Sequence, residues 1–332
     1  MKIIVIGAGA MGCLYGLAMA GKGHEVRLVD TWAEHAEAMQ RDGAMITGVG
    51  GEQRAMLPVS ADASQWPGWA DVAFLQTDTN NSVAGARVAK DALSPEGYAI
   101  TFQNGIGNVE ALVAELGEAR VLGGISYHSA AMAGPGHALH TNAGVTYVGE
   151  LDGSESQRAQ MLSTALGETG FETEAVDNIL DIIWTKWVHN CAINPICAAS
   201  GLRVGEMARN PAAAAMQAHI LDEIMAVVRA KGLRLTDDDP VGHIKAYCRL
   251  KYNRPSMQQH MEAGKQTEID SLNGALIREA QGLGIPVPWN EALVAMVKAR
   301  EAAMMQVAGG VEHDYAALEV AAKREAAKGE AG

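Results

Sequence analysis

The sequence predicts an α/β fold, an N-terminal Rossmann-type doubly wound sheet joined to a C-terminal all-helical domain. Three observations carry that prediction. The β-branched run Ile3-Ile4-Val5-Ile6 leads directly into Gly7-Ala8-Gly9-Ala10-Met11-Gly12 and then into a helix-like stretch, Cys13 to Lys22; strand, glycine turn and helix in that order are the setting in which GxGxxG binds a dinucleotide. Strand-like and helix-like segments then alternate as far as residue 177. From residue 178 onward the texture is helical, rich in Ala, Met, Leu and charged residues. A chain of 332 residues exceeds what one hydrophobic core usually serves, so residues 1–177 are assigned to a dinucleotide-binding domain and 178–332 to a helical substrate domain.

In the glycine turn, Gly7 permits the tight bend, Gly9 lets the backbone approach a pyrophosphate, and Gly12 allows the helix to pack on the strand. Ala8, Ala10 and Met11 complete the loop, and the free N–H groups at the helix start favour phosphate charge. A second strand ends in Asp30, 23 positions after Gly7, where such folds place the carboxylate that holds the adenosine ribose hydroxyls. That carboxylate would repel a 2′-phosphate, so of NAD and NADP the sequence favours NAD; the other reading of Asp30 is a cap on the next helix. Arg41 reaches a 2′-phosphate only if its loop folds back.

Val72 to Leu75 continues the pattern as a strand, Val83 to Leu93 as a helix and Tyr98 to Phe102 as a strand that ends in Gln103-Asn104-Gly105-Ile106-Gly107-Asn108. Ligands bind at the carboxyl ends of strands in open parallel sheets, which makes Asn104 a candidate contact, with a plain Asn-Gly turn as the alternative. Residues 121–150 read as shorter strands around a Gly134-Pro135-Gly136 turn, completing the sheet with antiparallel pieces.

The helical half opens on Trp184 to Pro195. Lys186, Asn190 and Asn194 stand at i, i+4 and i+8, one face of a helix otherwise set with Ile182, Ile183, Trp187 and Ile193. An ammonium and two amides are costly to bury unpartnered, so this stripe should line a wet or ligand-filled cleft. Pro195 either frees the Cys191 carbonyl inside the helix or ends the helix early. Asn253 and Ser256 precede a helix they could cap, or they hold a ligand. Glu268 and Asp270 are expected on a helix running through Leu272 and Leu276, where residues two apart do not share a face. The Ala-rich last twenty residues read as a peripheral helix or a frayed tail.

A net charge of −13 with no basic run argues against nucleic-acid and anionic-membrane partners, which require clustered Lys and Arg. No signal-peptide pattern and no apolar span of bilayer length are present, and a cytoplasmic protein is expected. Cys13, Cys191, Cys197 and Cys248 lie far apart without CxxC pairing, so reduced thiols are expected and no metal site. The methionines at 216, 225, 257, 261, 296, 304 and 305 form either a homodimer surface or, the preferred reading, part of the core.

Taken together, the Gly7–Gly12 turn, Gln103–Asn108, Gly134-Pro135-Gly136, Lys186 with Asn190 and Asn194, Asn253 with Ser256-Met257, and Thr267-Glu268-Ile269-Asp270 resemble the ketopantoate reductase (2-dehydropantoate 2-reductase) family in the same order along nearly the whole chain. The resemblance implies an NAD(P)-dependent reductase that converts a 2-keto acid to a 2-hydroxy acid in a cleft between the two domains, with a homodimer as a candidate assembly. By position it implies that Lys186 polarises the keto oxygen and delivers its proton, that Glu268 supports Lys186, that Asn190, Asn194, Asn253 and Ser256 bind substrate, and that Asn104 lies on the cofactor side. Hydride addition to a ketone builds charge on oxygen, which an ammonium in a dry cleft stabilises and then quenches as a general acid. Two positions depart from the family pattern: Asp78 stands where a lysine is usual, and His260 where an acid is common. Two alternatives stay open. One is a related 2-hydroxy acid or opine-type dehydrogenase relying on His128 or His189 with an acidic partner. The other is a dinucleotide-sensing protein without the chemistry.

Overall fold

Ile3 to Ile6 are four successive buried residues. Strand β1 (Lys2–Ile6) accordingly runs through the middle of a sheet covered on both faces, with Ile3 and Val5 in one apolar cluster and Ile4 and Ile6 in another. The computed structural model describes residues 1–329. After β1 come α1 (Ala10–Ala20), β2 (Glu25–Val29), α2 (Ala33–Asp42), β3 (Ala44–Gly48), β4 (Gln53–Ala55), β5 (Val59–Ser60), β6 (Ala70–Leu75), α3 (Ser82–Ala92), β7 (Leu93–Thr101), α4 (Asn108–Leu116), β8 (Val121–Ser126), β9 (Ser129–Gly134), β10 (His137–Asn142), β11 (Thr146–Glu150), α5 (Gln157–Glu168) and β12 (Thr173–Ala175).

Eight of these strands form one sheet in the order β12-β11-β8-β7-β6-β1-β2-β5. Its pairs are parallel except β8 with β11. The chain leaves β1 for β2 on one side and returns to β6 on the other, so the strand order reverses at β1 and opens a crevice there. The strands around Gly134–Gly136 behave differently from the expectation that they complete this sheet. β9 and β10 form an antiparallel hairpin, and β10 pairs in parallel with β3, making a separate four-stranded sheet, β4-β3-β10-β9, packed on α1. Within the main sheet β11 runs antiparallel to β8, and β12, which pairs in parallel with β11, shares that reversed direction.

The remaining helices are α6 (Ile179–Ser200), α7 (Val204–Met207), α8 (Pro211–Ala230), α9 (Pro240–Leu250), α10 (Ser256–Glu262), α11 (Asn273–Leu283), α12 (Pro288–Ala308) and α13 (Tyr315–Gly329). Helix α6 is their axis. Trp187, Val188, Cys191, Ile193, Ile196 and Cys197 are all buried in a core shared with α8, α10, α11 and α12, and Ile106 and Ile125 from the sheet half join the same cluster. Pro195 lies inside α6, and the helix continues beyond it to Ser200. The Cys191 carbonyl, which a non-proline residue 195 would have engaged, instead accepts a hydrogen bond from Asn273 Nδ2 at 3.1 Å.

Glu268 and Asp270 do not lie on a helix. Residues 268–272 form a turn, Leu272 breaks the helical backbone with φ −100° and ψ −103°, and α11 begins at Asn273. The four cysteines are buried free thiols. Among the described residues no helix is long and apolar enough to cross a membrane, and no His/Cys/Asp/Glu group is arranged to hold a metal. Met257 and Met261 are buried and Met216, Met225 and Met304 pack against the core, whereas Met296 and Met305 are exposed. The Ala-rich end is helical in α13, whose side chains as far as Glu325 are exposed; residues 330–332 fall outside the described chain.

Candidate active site

Two of the three fingerprint glycines are fixed by contacts within the chain. Gly7 has φ +89° and a Cβ there would fall 2.5 Å from Thr77 N; at Gly12 it would fall 2.0 Å from the Gly7 carbonyl oxygen. Gly9, the first-turn cap of α1, has nothing within 4 Å of that position and no side chain on its helix-end N–H groups. The open space therefore lies where a pyrophosphate needs to approach the helix start, and the loop Gly7, Ala8, Gly9, Ala10, Met11, Gly12 fits a dinucleotide. Beneath it sits His35, fully buried on α2. Gly136 N–H donates to His35 Nδ1 at 2.8 Å, so the proton is on Nε2, which donates to the Ala8 carbonyl at 2.8 Å.

Asp30 follows β2 at the expected strand end. Its Oδ1 accepts the Trp32 N–H at 2.8 Å and it caps no helix, since Trp32 itself is the N-cap of α2. Arg41 is in the last turn of α2, paired with Asp42 at 2.7 Å.

Across the crevice, Lys186 on α6 reaches the carboxyl end of β8. Lys186 and Asn190 are half-buried and Asn194 is buried. Lys186 Nζ donates to the Ser126 carbonyl at the end of β8 and lies 5.0 Å from the centroid of the Tyr127 ring. Burial pushes the Lys186 ammonium down to about 8, and the charge of Glu268 opposes that shift. Burial pushes Glu268 up to about 7; Asp78 adds to the rise, while Lys186 and a hydrogen bond from the Asn104 side chain act against it. Asn104 thus faces Glu268 as well as the crevice.

The turn spacing resolves the two carboxylates. Glu268 is turned inward, while Asp270 pairs with Lys298 at 2.7 Å on the surface. Helix α10 packs against α6. Its start is capped by neither Asn253 nor Ser256, because Pro255 is the N-cap without a side-chain bond. Asn253 is exposed with its carbonyl accepting the Val204 N–H, and Ser256 is half-buried. The two departures from the family pattern converge: the charge of exposed Asp78 acts on both Glu268 and His260, and His260 Nδ1 is buried with no partner among the described residues.

The alternative histidines lack an acidic partner among the described residues. His128 is paired at 3.1 Å with His140, and burial followed by that neighbour pushes it down to about 4. His189 packs edge-on against Tyr247, and burial and the Lys186 charge push it down to about 4. Four contributors escaped the sequence reading. Ser126 acts through a backbone carbonyl and Tyr127 through a ring face, neither of which has a motif; His35 looks like any helix residue; Ser271 lies just past the Thr267–Asp270 match.

A glycine-turn sheet meeting a lysine-bearing helical domain across a crevice is the build of a two-domain nicotinamide-dependent oxidoreductase. Two family models match, "Ketopantoate reductase PanE/ApbA" over residues 3–153 and its C-terminal counterpart over residues 178–301. The 2-dehydropantoate 2-reductase of Archaeoglobus fulgidus is 32% identical over 91% of this chain and 99% of the relative, and that of Pyrococcus horikoshii is 30% identical over 91% and 98%. The crystal structure of a PanE/ApbA family ketopantoate reductase from Ralstonia eutropha superposes with a TM-score of 0.84 at 30% identity, covering 92% of this chain and 99% of that one. A ternary structure of D-mandelate dehydrogenase with NADH and anilino(oxo)acetate superposes at 0.83, with 26% identity and coverage of 92% and 99%. The chain belongs to the ketopantoate reductase family.

Proposed function

We propose that the protein reduces a 2-keto acid, with 2-dehydropantoate as the first substrate to test, to the corresponding 2-hydroxy acid. In this reading residues 1–177 bind the dinucleotide, residues 178–332 complete the substrate site, and NADH is preferred to NADPH because Asp30 stands at the ribose position. The observation that carries it is Lys186: an ammonium held at the crevice by Ser126 and Tyr127, shifted toward neutrality, with a carboxylate of similar proton affinity beside it.

The bound cofactor supplies hydride to the carbonyl carbon. Lys186 Nζ, carrying its proton at neutral pH, hydrogen-bonds the carbonyl oxygen, stabilises the charge that develops there and transfers the proton to it. Glu268, near its own midpoint at neutral pH, supplies the replacement proton. Asn190, Asn194, Asn253 and Ser256 offer neutral donors and acceptors to the carboxylate and hydroxyls of the substrate, and Asn104 fixes Glu268.

NADH and NADPH oxidation is followed with 2-dehydropantoate, phenylglyoxylate and a series of aliphatic 2-keto acids. Turnover with at least one, faster with NADH, is expected. Absence of turnover with every 2-keto acid and both cofactors would overturn the reading, and tight NAD(H) binding without turnover would replace it with the dinucleotide-sensing alternative.

A further inference from the structure

Ser271 joins more of the crevice wall than any residue assigned to catalysis. Its carbonyl oxygen accepts two hydrogen bonds, from Ile106 N–H and from Trp187 Nε1, each at 3.2 Å. One donor belongs to the loop after β7, beside Asn104; the other is the residue following Lys186 on α6. Its hydroxyl pairs with Thr79 Oγ1 at 3.0 Å, in the loop after β6 next to Asp78, and donates to the Glu268 carbonyl, also at 3.0 Å. The Ser271 N–H donates to that same carbonyl at 3.2 Å. Gly105 completes the arrangement: it has φ +85°, and a Cβ there would fall 2.8 Å from Ser271 Cβ, so the loop after β7 can approach only because position 105 lacks a side chain.

Four segments that carry Asp78, Asn104, Lys186 and Glu268 are therefore tied to one residue that is itself buried. Lys186 and Glu268 come from different elements and have no covalent reason to hold a fixed separation. Misplacement of a catalytic group by about 1 Å costs up to about 100-fold in rate. The loop ties set the position of the Glu268 turn relative to α6.

We propose that Ser271 is a positioning residue, which through Thr79, Ile106 and Trp187 holds the Glu268 carboxylate at working distance from Lys186. This rests on the assignment of Lys186 and Glu268 as the proton-handling pair. The residue touches neither substrate nor cofactor in this role. It acts by fixing the turn.

The test uses the full-length protein with NADH and its best 2-keto acid. Ser271→Ala and, separately, Thr79→Ala remove the hydroxyl pair from either side, and Thr79→Ser restores it. Each Ala variant is expected to lower kcat roughly 10- to 100-fold with KM for NADH within about twofold. Because the Glu268 charge holds the Lys186 ammonium up, loosening the pair lowers the Lys186 pKa, and the basic limb of the kcat/KM profile moves to lower pH. Thr79→Ser is expected to return both kcat and the limb to their original values. Wild-type kcat and an unmoved basic limb in both Ala variants would overturn the proposal, as would a loss of kcat that Thr79→Ser fails to recover. Lys186→Ala run alongside separates the two readings: its inactivity together with normal Ser271→Ala sinks only the positioning role, whereas an active Lys186→Ala sinks the assignment of Lys186 itself.

Discussion

Tyr127 carries Lys186 on its ring face, with Nζ 5.0 Å from the ring centroid, while the preceding residue, Ser126, offers its carbonyl to the same ammonium. The ring and the carbonyl aim a long, flexible side chain at the crevice without neutralising it. In the proposed reaction the proton on this nitrogen is the one transferred to the substrate oxygen.

The pH dependence follows from that arrangement. With Lys186 pushed down to about 8, keto-acid reduction should decline as pH rises through about 8, and oxidation of the 2-hydroxy acid should gain over the same interval because it requires the neutral amine. Stopped-flow rates in both directions across pH 6–10, with primary deuterium on the transferred hydride, test this. A basic limb above about pH 10 would contradict it.

Lys186→Met should lower kcat by orders of magnitude and leave the fold intact. An ammonium whose folded pKa lies below its unfolded value disfavours folding at every pH below about 8, where both states are charged, and the penalty fades as pH rises toward the unfolded lysine value. The Met variant is therefore expected to melt at or above the wild-type temperature at pH 7, with the gap narrowing above pH 8. Calorimetry at the two pH values provides the comparison.

Gly9→Ala and Gly12→Ala separate ligand space from packing space. At Gly9 the added methyl enters open space, so melting should stay near wild type while NADH affinity falls at least tenfold. At Gly12 the methyl would sit 2.0 Å from the Gly7 carbonyl oxygen, and the expected result is loss of stability before any binding measurement. Equal binding losses with equal melting temperatures would reject the distinction.

His35→Ala leaves the buried Gly136 N–H without its acceptor, leaves the Ala8 carbonyl with only the weak Cys13 thiol donor, and opens a hole under the glycine loop. The expected destabilisation is about 2–4 kcal/mol, measured by urea titration. NADH binding should weaken as well, because Ala8 loses its brace.

Asp30→Ser preserves an acceptor for the Trp32 N–H while removing the charge. The ratio of kcat/KM for NADH over NADPH should fall by about tenfold or more, equivalent to about 1.4 kcal/mol. An unchanged ratio would place cofactor choice elsewhere.

The parts of this molecule legible in the sequence are those where backbone geometry restricts residue type. β1, the glycine turn and α1 could be read because Gly7 and Gly12 have no room for a side chain, and the α6 stripe because three polar residues at helical spacing cannot be buried unpartnered. The turn at Glu268 looks helical in sequence because Ile269, Leu272 and Leu276 keep helical spacing, and only the backbone at Leu272 reveals the break. The β9–β10 hairpin was visible from its turn, but a turn says which strands pair and not which sheet receives them. Anchors that act through carbonyls, Ser126 for Lys186 and Ser271 for Trp187, leave no trace in side-chain chemistry.

Pro195 takes one rung out of α6, and the Asn273 amide occupies the vacated carbonyl. Asn273 Nδ2 also meets Asn290 Oδ1 at 2.8 Å, and Asn290 Nδ2 donates to Glu223 at 2.6 Å. A missing main-chain donor at the centre of one helix has thus become the socket into which α11 plugs, and the wiring runs on through α12 to α8. Removing the Asn273 amide would leave that carbonyl with no donor from its own helix, so positions 195 and 273 are coupled: the proline stands inside α6 with a side chain from α11 answering for the lost rung.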